Sequence, residues 1–150
     1  MSQDLATRRI HAELLLDLQR IRHLAERRIA DLLDQESIDV TPAQANVLMA
    51  LFNARTPQTA RRLASDLELS EVTVGRFVRK LEQGGWVQRQ RDPTDARAIL
   101  VSPTARARQA LPAFIRVSNS IADRMLQDFD DDAVRHIARV TRKLRSNLVD

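Results

Sequence analysis

Ser70-Glu71-Val72-Thr73-Val74-Gly75-Arg76-Phe77-Val78-Arg79-Lys80-Leu81-Glu82-Gln83-Gly84-Gly85-Trp86-Val87 is the stretch on which the fold turns. Ser70 suits an N-cap, because its hydroxyl accepts a backbone N–H that the first helical turn leaves unbonded. Val74, Phe77, Val78 and Leu81 then recur at i, i+3, i+4 and i+7, which is one buried stripe of a helix. Gly84-Gly85 supplies the glycine stop expected after a helix C-terminus. Off the stripe lie Thr73, Arg76, Arg79 and Lys80, with Glu71, Val72 and Gly75 towards the N-terminal end.

Upstream, a Thr59 cap opens a short helix through Leu63, Ala64 and Leu67. Downstream, Trp86–Arg91 reads as extended chain, Asp92-Pro93-Thr94-Asp95 as a turn, and Ala98–Val101 as a second strand. A short helix, a tight turn, a capped helix and a charged β-hairpin compose a winged helix-turn-helix, whose second helix is shaped for a major groove. The candidate DNA-binding residues are therefore Ser70, Glu71, Val72, Thr73, Gly75, Arg76, Arg79 and Lys80 on the helix, and Arg89, Arg91, Asp95 and Arg97 on the hairpin. Arg76 can fork onto guanine or bind phosphate, Glu71 can accept from a cytosine amino group, and Val72 or Thr73 can touch a thymine methyl. Gly75 permits close approach to the duplex, at a cost of about 1 kcal/mol in helix propensity. Arg97 near the wing tip suits a minor groove, and Asp95 can hold either that guanidinium or the loop.

The flanks read as helices. Over 5–36, Leu14, Leu18, Ile21, Ala25, Ile29 and Leu32 recur at spacings of three and four with charges between them. Thr41-Pro42-Ala43-Gln44 carries a capping-box pattern with proline at the first helical position, followed by an apolar face of Val47, Leu48, Leu51 and Phe52. Ser102-Pro103-Thr104 reads as the start of a helix reaching about Gln127, with a kink expected at Pro112. A last helix opens at Asp130-Asp131-Asp132, with Ala133, Ile137, Val140, Leu144 and Leu148 as its stripe.

The 150-residue chain has 24 Lys+Arg against 20 Asp+Glu, a formal charge of +4. Arg61–Arg108 holds ten basic and six acidic residues, so the whole excess falls within the winged segment. Of the basic residues 22 are Arg and 2 are Lys, and Arg forks onto phosphate and guanine more effectively than Lys. With no cysteine, disulfides, thiolate metal sites, cysteine nucleophiles and thiol redox sensing are excluded. No run of about 18 apolar residues offers a membrane span, and Met1–Ile10 lacks the pattern of a secretory signal, so a cytoplasmic protein is expected. His11, His23 and His136 stand apart, and no metalloprotease, phosphate-loop or nucleophile-elbow motif occurs, so neither an enzyme nor a cofactor or metal site is expected.

Val40-Thr41-Pro42-Ala43-Gln44-Ala45-Asn46-Val47-Leu48, Leu63–Ser70, Thr73–Val87 and Arg91–Val101 resemble, in turn, the second helix, third helix, recognition helix and wing of MarR-type regulators. The Asp95-x-Arg97 pair before a short apolar strand is the most specific element, and similarity is dense over about 40–103. The resemblance implies a mostly α fold with a small β-hairpin wing. A winged helix-turn-helix at 39–103 would sit between helical dimerisation regions at 1–38 and 104–150. It implies a homodimeric repressor on a pseudo-palindromic DNA operator, with Arg97 in the minor groove, released by a small aromatic or carboxylate effector. Departures from the family pattern are Glu68 where glycine is frequent, Val72 and Gly75 where Ser or Thr is common, Ala96 beside Arg97, and Pro103, Ala107 and Pro112 after the wing. The rival reading is a non-enzymatic helical dimer or protein-interaction module with weak or no DNA binding.

Overall fold

The computed structural model describes residues 2–149, with side chains from residue 5 onward; Met1 and Asp150, the outer limits of the two expected helical regions, lie outside. The elements are α1 Ser2–Gln35, α2 Pro42–Ala54, β1 Gln58–Thr59, α3 Ala60–Leu67, α4 Glu71–Gln83, β2 Val87–Arg91, β3 Ile99–Pro103, α5 Ala105–Met125 and α6 Asp131–Ser146. The chain divides into two compact units, residues 1–118 and 119–150.

Helix starts in the first unit are set by local chemistry. Thr41 Oγ1 accepts from Gln44 N–H at 3.2 Å while Gln44 Oε1 accepts from Thr41 N–H at 3.1 Å, a complete capping box with Pro42 at the first turn. Thr59 and Ser70 cap α3 and α4 in the same way, accepting from the N–H groups of Arg62 and Thr73. Between α3 and α4, Glu68 takes a left-handed conformation with φ 54°, and the N–H of Leu69 returns to the carbonyl of Ala64 at 2.9 Å. This closes the Schellman turn usually given to glycine, and the β-carbon makes the backbone state costly by about 1–2 kcal/mol.

The core of this unit joins Val47, Leu48 and Leu51 of α2, Leu63 of α3, Val74, Val78 and Leu81 of α4, and Val101 of β3, with Phe114 of α5. Phe52 and Phe77, expected on the buried stripes, are half-buried and pack against the edge of this core.

Three expectations need correction. The hairpin gains a third strand: two-residue β1 pairs with β3 through Gln58↔Val101 and Thr59↔Leu100, giving the order β1-β3-β2. Ser102 and Pro103 belong to β3, not to a helix start. They pair with Gln88 and Val87, and pairing is possible at the strand end, where the missing proline N–H is not needed. The helix starts one residue past Thr104, whose carbonyl and hydroxyl receive the N–H groups of Arg108 and Ala107. Pro112 lies inside α5, as expected. Along α1, Ile29 and Leu32 of the expected stripe pack against the core, and Leu33, outside that stripe, is fully buried in it. Leu14, Leu18 and Ile21 of that stripe are 40–48% exposed.

In the second unit, Asp130 Oδ1 accepts from Ala133 N–H at 2.8 Å and Asp131 and Asp132 occupy the first turn of α6, where carboxylates favour the positive helix end. No residue of α6 is buried; Val140 is exposed, and Leu148 lies past the helix end and is also exposed.

Candidate nucleic-acid interface

The inward stripe of α4 fixes which residues face outward. With Val74, Val78 and Leu81 buried, Glu71, Val72, Arg76, Arg79 and Lys80 are exposed, and Thr73 and Gly75 are half-exposed. A β-carbon built on Gly75 meets no atom within 4 Å, so neither packing nor a turn requires glycine there. Val72 is 75% exposed, an apolar side chain presented to solvent on the second residue of the helix. The hydroxyls of Ser70 and Thr73 are turned onto each other at 2.8 Å while Ser70 also caps the helix, so both are partly spoken for by the fold. Glu71 lies 4.0 Å from the Arg61 guanidinium, an open pair in water of little energetic weight.

The hairpin divides its side chains by strand alternation. Arg89 turns towards α4 and its Nε donates to Glu82 at 2.7 Å, so this guanidinium ties β2 to the helix and is locally neutralised. Gln88 and Ser102, on the other face, make a 3.4 Å hydrogen bond. The wing loop is braced by two aspartates. Asp92 Oδ1 accepts from the N–H and the hydroxyl of Thr94, at 2.8 and 2.7 Å, and these bonds hold its carboxyl below the usual range. Asp95 Oδ1 accepts from the backbone N–H of Arg97 at 3.0 Å, and Ala98 N–H returns to the Asp95 carbonyl at 2.9 Å. Of the two roles open to Asp95, the structure shows the loop-holding one. The Arg97 side chain is left exposed.

Sorting the cations by partner sharpens the charge pattern. Arg61, Arg62, Arg89 and Arg106 pair with Glu71, Asp66, Glu82 and Asp39. Among the described residues, Arg76, Arg79 and Lys80 of α4 and Arg91 and Arg97 of the wing form no ion pair and are exposed. These five cations, on one helix face and one hairpin, are open to phosphate.

Two features escaped the sequence. A cleft of about 560 Å³ is lined by Leu51, Phe52 and Arg55 at the end of α2, by Gln88, Gln90 and Ser102 of the sheet, and by Arg108 and Leu111 of α5. Behind α4, Arg106 stacks over Trp86 with its guanidinium carbon 4.0 Å from the ring centroid and reaches Asp39 and Gly84, a cluster spanning 67 positions of sequence. Among the described residues no group of three or more His, Asp or Glu is arranged to hold a metal ion, and no helix is long and apolar enough to cross a membrane.

A capped second helix with an outward basic face, set beside a braced hairpin, defines a winged helix-turn-helix protein. Residues 40–99 match the model of the MarR family. An uncharacterized HTH-type transcriptional regulator of Bacillus subtilis (strain 168), YcgE, is 34% identical over 74 residues, or 49% of this chain. The match spans about half of that relative, 48% of its length. Among solved structures, a mutant MarR from E. coli complexed with operator DNA superposes with a TM-score of 0.78 at 21% identity, over 88% of this chain and 93% of that one. Reduced AbfR bound to DNA gives a TM-score of 0.79 at 22% identity, over 99% and 100%. These two share the fold of this chain over almost its whole length.

Proposed function

We propose that this chain is a sequence-specific DNA-binding transcriptional regulator, acting as a homodimeric repressor on a pseudo-palindromic operator. The carrying observation is the set of unpaired cations on the outward face of α4 and on the wing. In this reading α4 enters the major groove with Ser70, Glu71, Val72, Thr73, Gly75, Arg76, Arg79 and Lys80 towards the duplex. Arg76 reads a base edge, while Arg79 and Lys80 meet phosphates. Arg97 enters the minor groove from a loop held by Asp95, and Arg91 and Arg89 lie along the backbone, Arg89 with its charge already shared with Glu82. Residues 39–103 form the DNA-binding part, and 1–38 and 104–150 dimerise.

A second copy is supported by the half-open apolar stripe of α1, Leu14, Leu18 and Ile21, and by the absence of any buried residue on α6. A small aromatic or carboxylate effector fits the cleft between α2, the sheet and α5, where Arg55 and Arg108 supply charge and Phe52 and Leu111 an apolar wall. The role is non-catalytic and the working compartment is the cytoplasm. The operator complexes of the fold relatives support the reading by analogy of fold.

Selection of duplexes from a random pool, followed by binding at graded salt, is the test. A dimer neutralising several phosphates loses affinity by about 10³-fold or more between 50 and 200 mM salt. Arg76→Ala should cost roughly 1–3 kcal/mol on the selected site and relax one base-pair position. If no duplex binds even at low salt, the rival protein-interaction module replaces this reading.

A further inference from the structure

The exit of α4 is held by a cluster that the DNA-facing residues do not use. Trp86 follows the two glycines that end the helix and is 3% exposed. Its indole N–H donates to Asp39 Oδ1 at 3.0 Å, and its ring meets Phe114 of α5 edge-on at a centroid distance of 5.9 Å. Arg106, in the first turn of α5, covers the indole face and donates to the same Asp39 oxygen at 3.1 Å. Its other terminal nitrogen donates to the carbonyl of Gly84, the C-cap of α4. One guanidinium thus bridges the α1–α2 connection, the negative end of α4 and α5, while one carboxylate oxygen gathers a tryptophan and an arginine.

The fit at Gly84 is tight. A β-carbon there would sit 2.9 Å from Trp86 Cδ1, so the helix end is pressed against the indole. A planar fork is needed to donate in two directions while stacking, a geometry an ammonium cannot reproduce. Each bond alone is modest, since the Arg106 and Asp39 side chains are 49% and 66% exposed. Together they fix one end of a helix whose other end carries the Ser70 cap and follows the Glu68 turn.

We propose that Asp39 and Arg106 are positioning residues that clamp the C-terminal end of α4, through Gly84 and Trp86, so that its outward face is presented to DNA in one orientation. The proposal rests on the DNA-binding reading above. Arg106 acts within the protein and does not contact phosphate. These two roles predict opposite signs for one substitution. If Arg106 touched DNA, Asp39→Asn would remove a competing negative charge and tighten binding. The clamp requires the same change to weaken it.

The test measures full-length wild type, Asp39→Asn and Arg106→Lys by fluorescence anisotropy, on the duplex selected by wild type and on a scrambled duplex, with circular dichroism confirming the folded state. Intrinsic emission reports Trp86, the one tryptophan in the chain. Both variants should lose about tenfold on the selected duplex and less than about twofold on the scrambled one, the size of a positioning effect transmitted without contact. Trp86 emission should change in both. Unchanged or tighter binding by Asp39→Asn, restored affinity in Arg106→Lys, or unchanged emission in both overturns the clamp while leaving DNA binding intact. A wild type that selects no duplex overturns the DNA-binding reading and the clamp with it. The two variants break the same cluster from opposite ends, so one that fails to fold leaves the other to decide.

Discussion

Gly75→Ala separates what the fold needs from what the duplex needs. Gly75 is the fifth residue of the thirteen-residue α4, away from the cap and from the Gly84 stop. Glycine in a helix interior is about 0.8–1.0 kcal/mol less favourable than alanine, because its backbone has more freedom to lose. A β-carbon at this position finds nothing within 4 Å, so no steric term offsets the gain. The variant should therefore be more stable by about 1 kcal/mol, a rise in melting temperature of about 2–4 °C for a chain of this size. Thermal denaturation at fixed protomer concentration measures it, since a dimer's midpoint depends on concentration. On the selected duplex the sign reverses. The methyl occupies space that the proposed complex gives to DNA, and overpacking of a close contact costs about 1–3 kcal/mol, or about five- to 150-fold in affinity. Higher stability with unchanged affinity would refute the placement of Gly75 against the duplex. Lower stability would refute the inference that the space beside it is open.

Two further outcomes follow from the wing and from α5. Arg97→Ala should weaken binding and reduce the preference for A·T base pairs at the edges of the selected site. Asp95→Ala should do so more mildly, because it loosens the loop without removing the guanidinium; an unchanged footprint in both removes the wing from recognition. Glu36 accepts a two-bond fork from Arg116, at 3.0 and 2.7 Å, which holds its carboxyl below the ordinary value of 4.5 and raises the guanidinium. A depressed folded-state value stabilises above the ordinary one and is lost as pH falls through the lower value. Wild type should thus exceed Glu36→Gln in stability at neutral pH and converge with it below about pH 4.5; a gap of constant size across that range contradicts the assignment.

What could be read from the residues was what neighbouring residues decide. The Thr41, Thr59 and Ser70 caps, the buried Val74, Val78 and Leu81 of α4, the helix start at Asp130–Asp132 and the Asp92–Asp95 turn each involve partners within a few positions, and each was found as expected. β1 was invisible because two residues carry no period, and only pairing with β3, some forty residues on, makes them a strand. Ser102-Pro103 looked like a helix start for the local reason that serine caps and proline suits a first turn; registration against Gln88 and Val87 overrode it. Of the candidate site, the outward face of α4 followed from its inward one. That Arg89 is tied to Glu82, and that Arg106 gathers Asp39, Trp86 and Gly84, depends on how separate elements meet, and no spacing encodes it.

The two faces of α4 share no residue. Val74, Val78 and Leu81 belong to the core, whereas the side chains of Val72, Arg76, Arg79 and Lys80 are exposed. Substitutions at such exposed positions ordinarily change stability by less than about 0.5 kcal/mol. If these residues read DNA as proposed, descendants of one gene can drift to new target sites through viable intermediates, since rewriting the message does not endanger the page. The same division makes the helix a practical chassis for reprogramming: outward residues can be randomised as a library while the folded fraction stays nearly constant, so that a screen for binding reports binding alone.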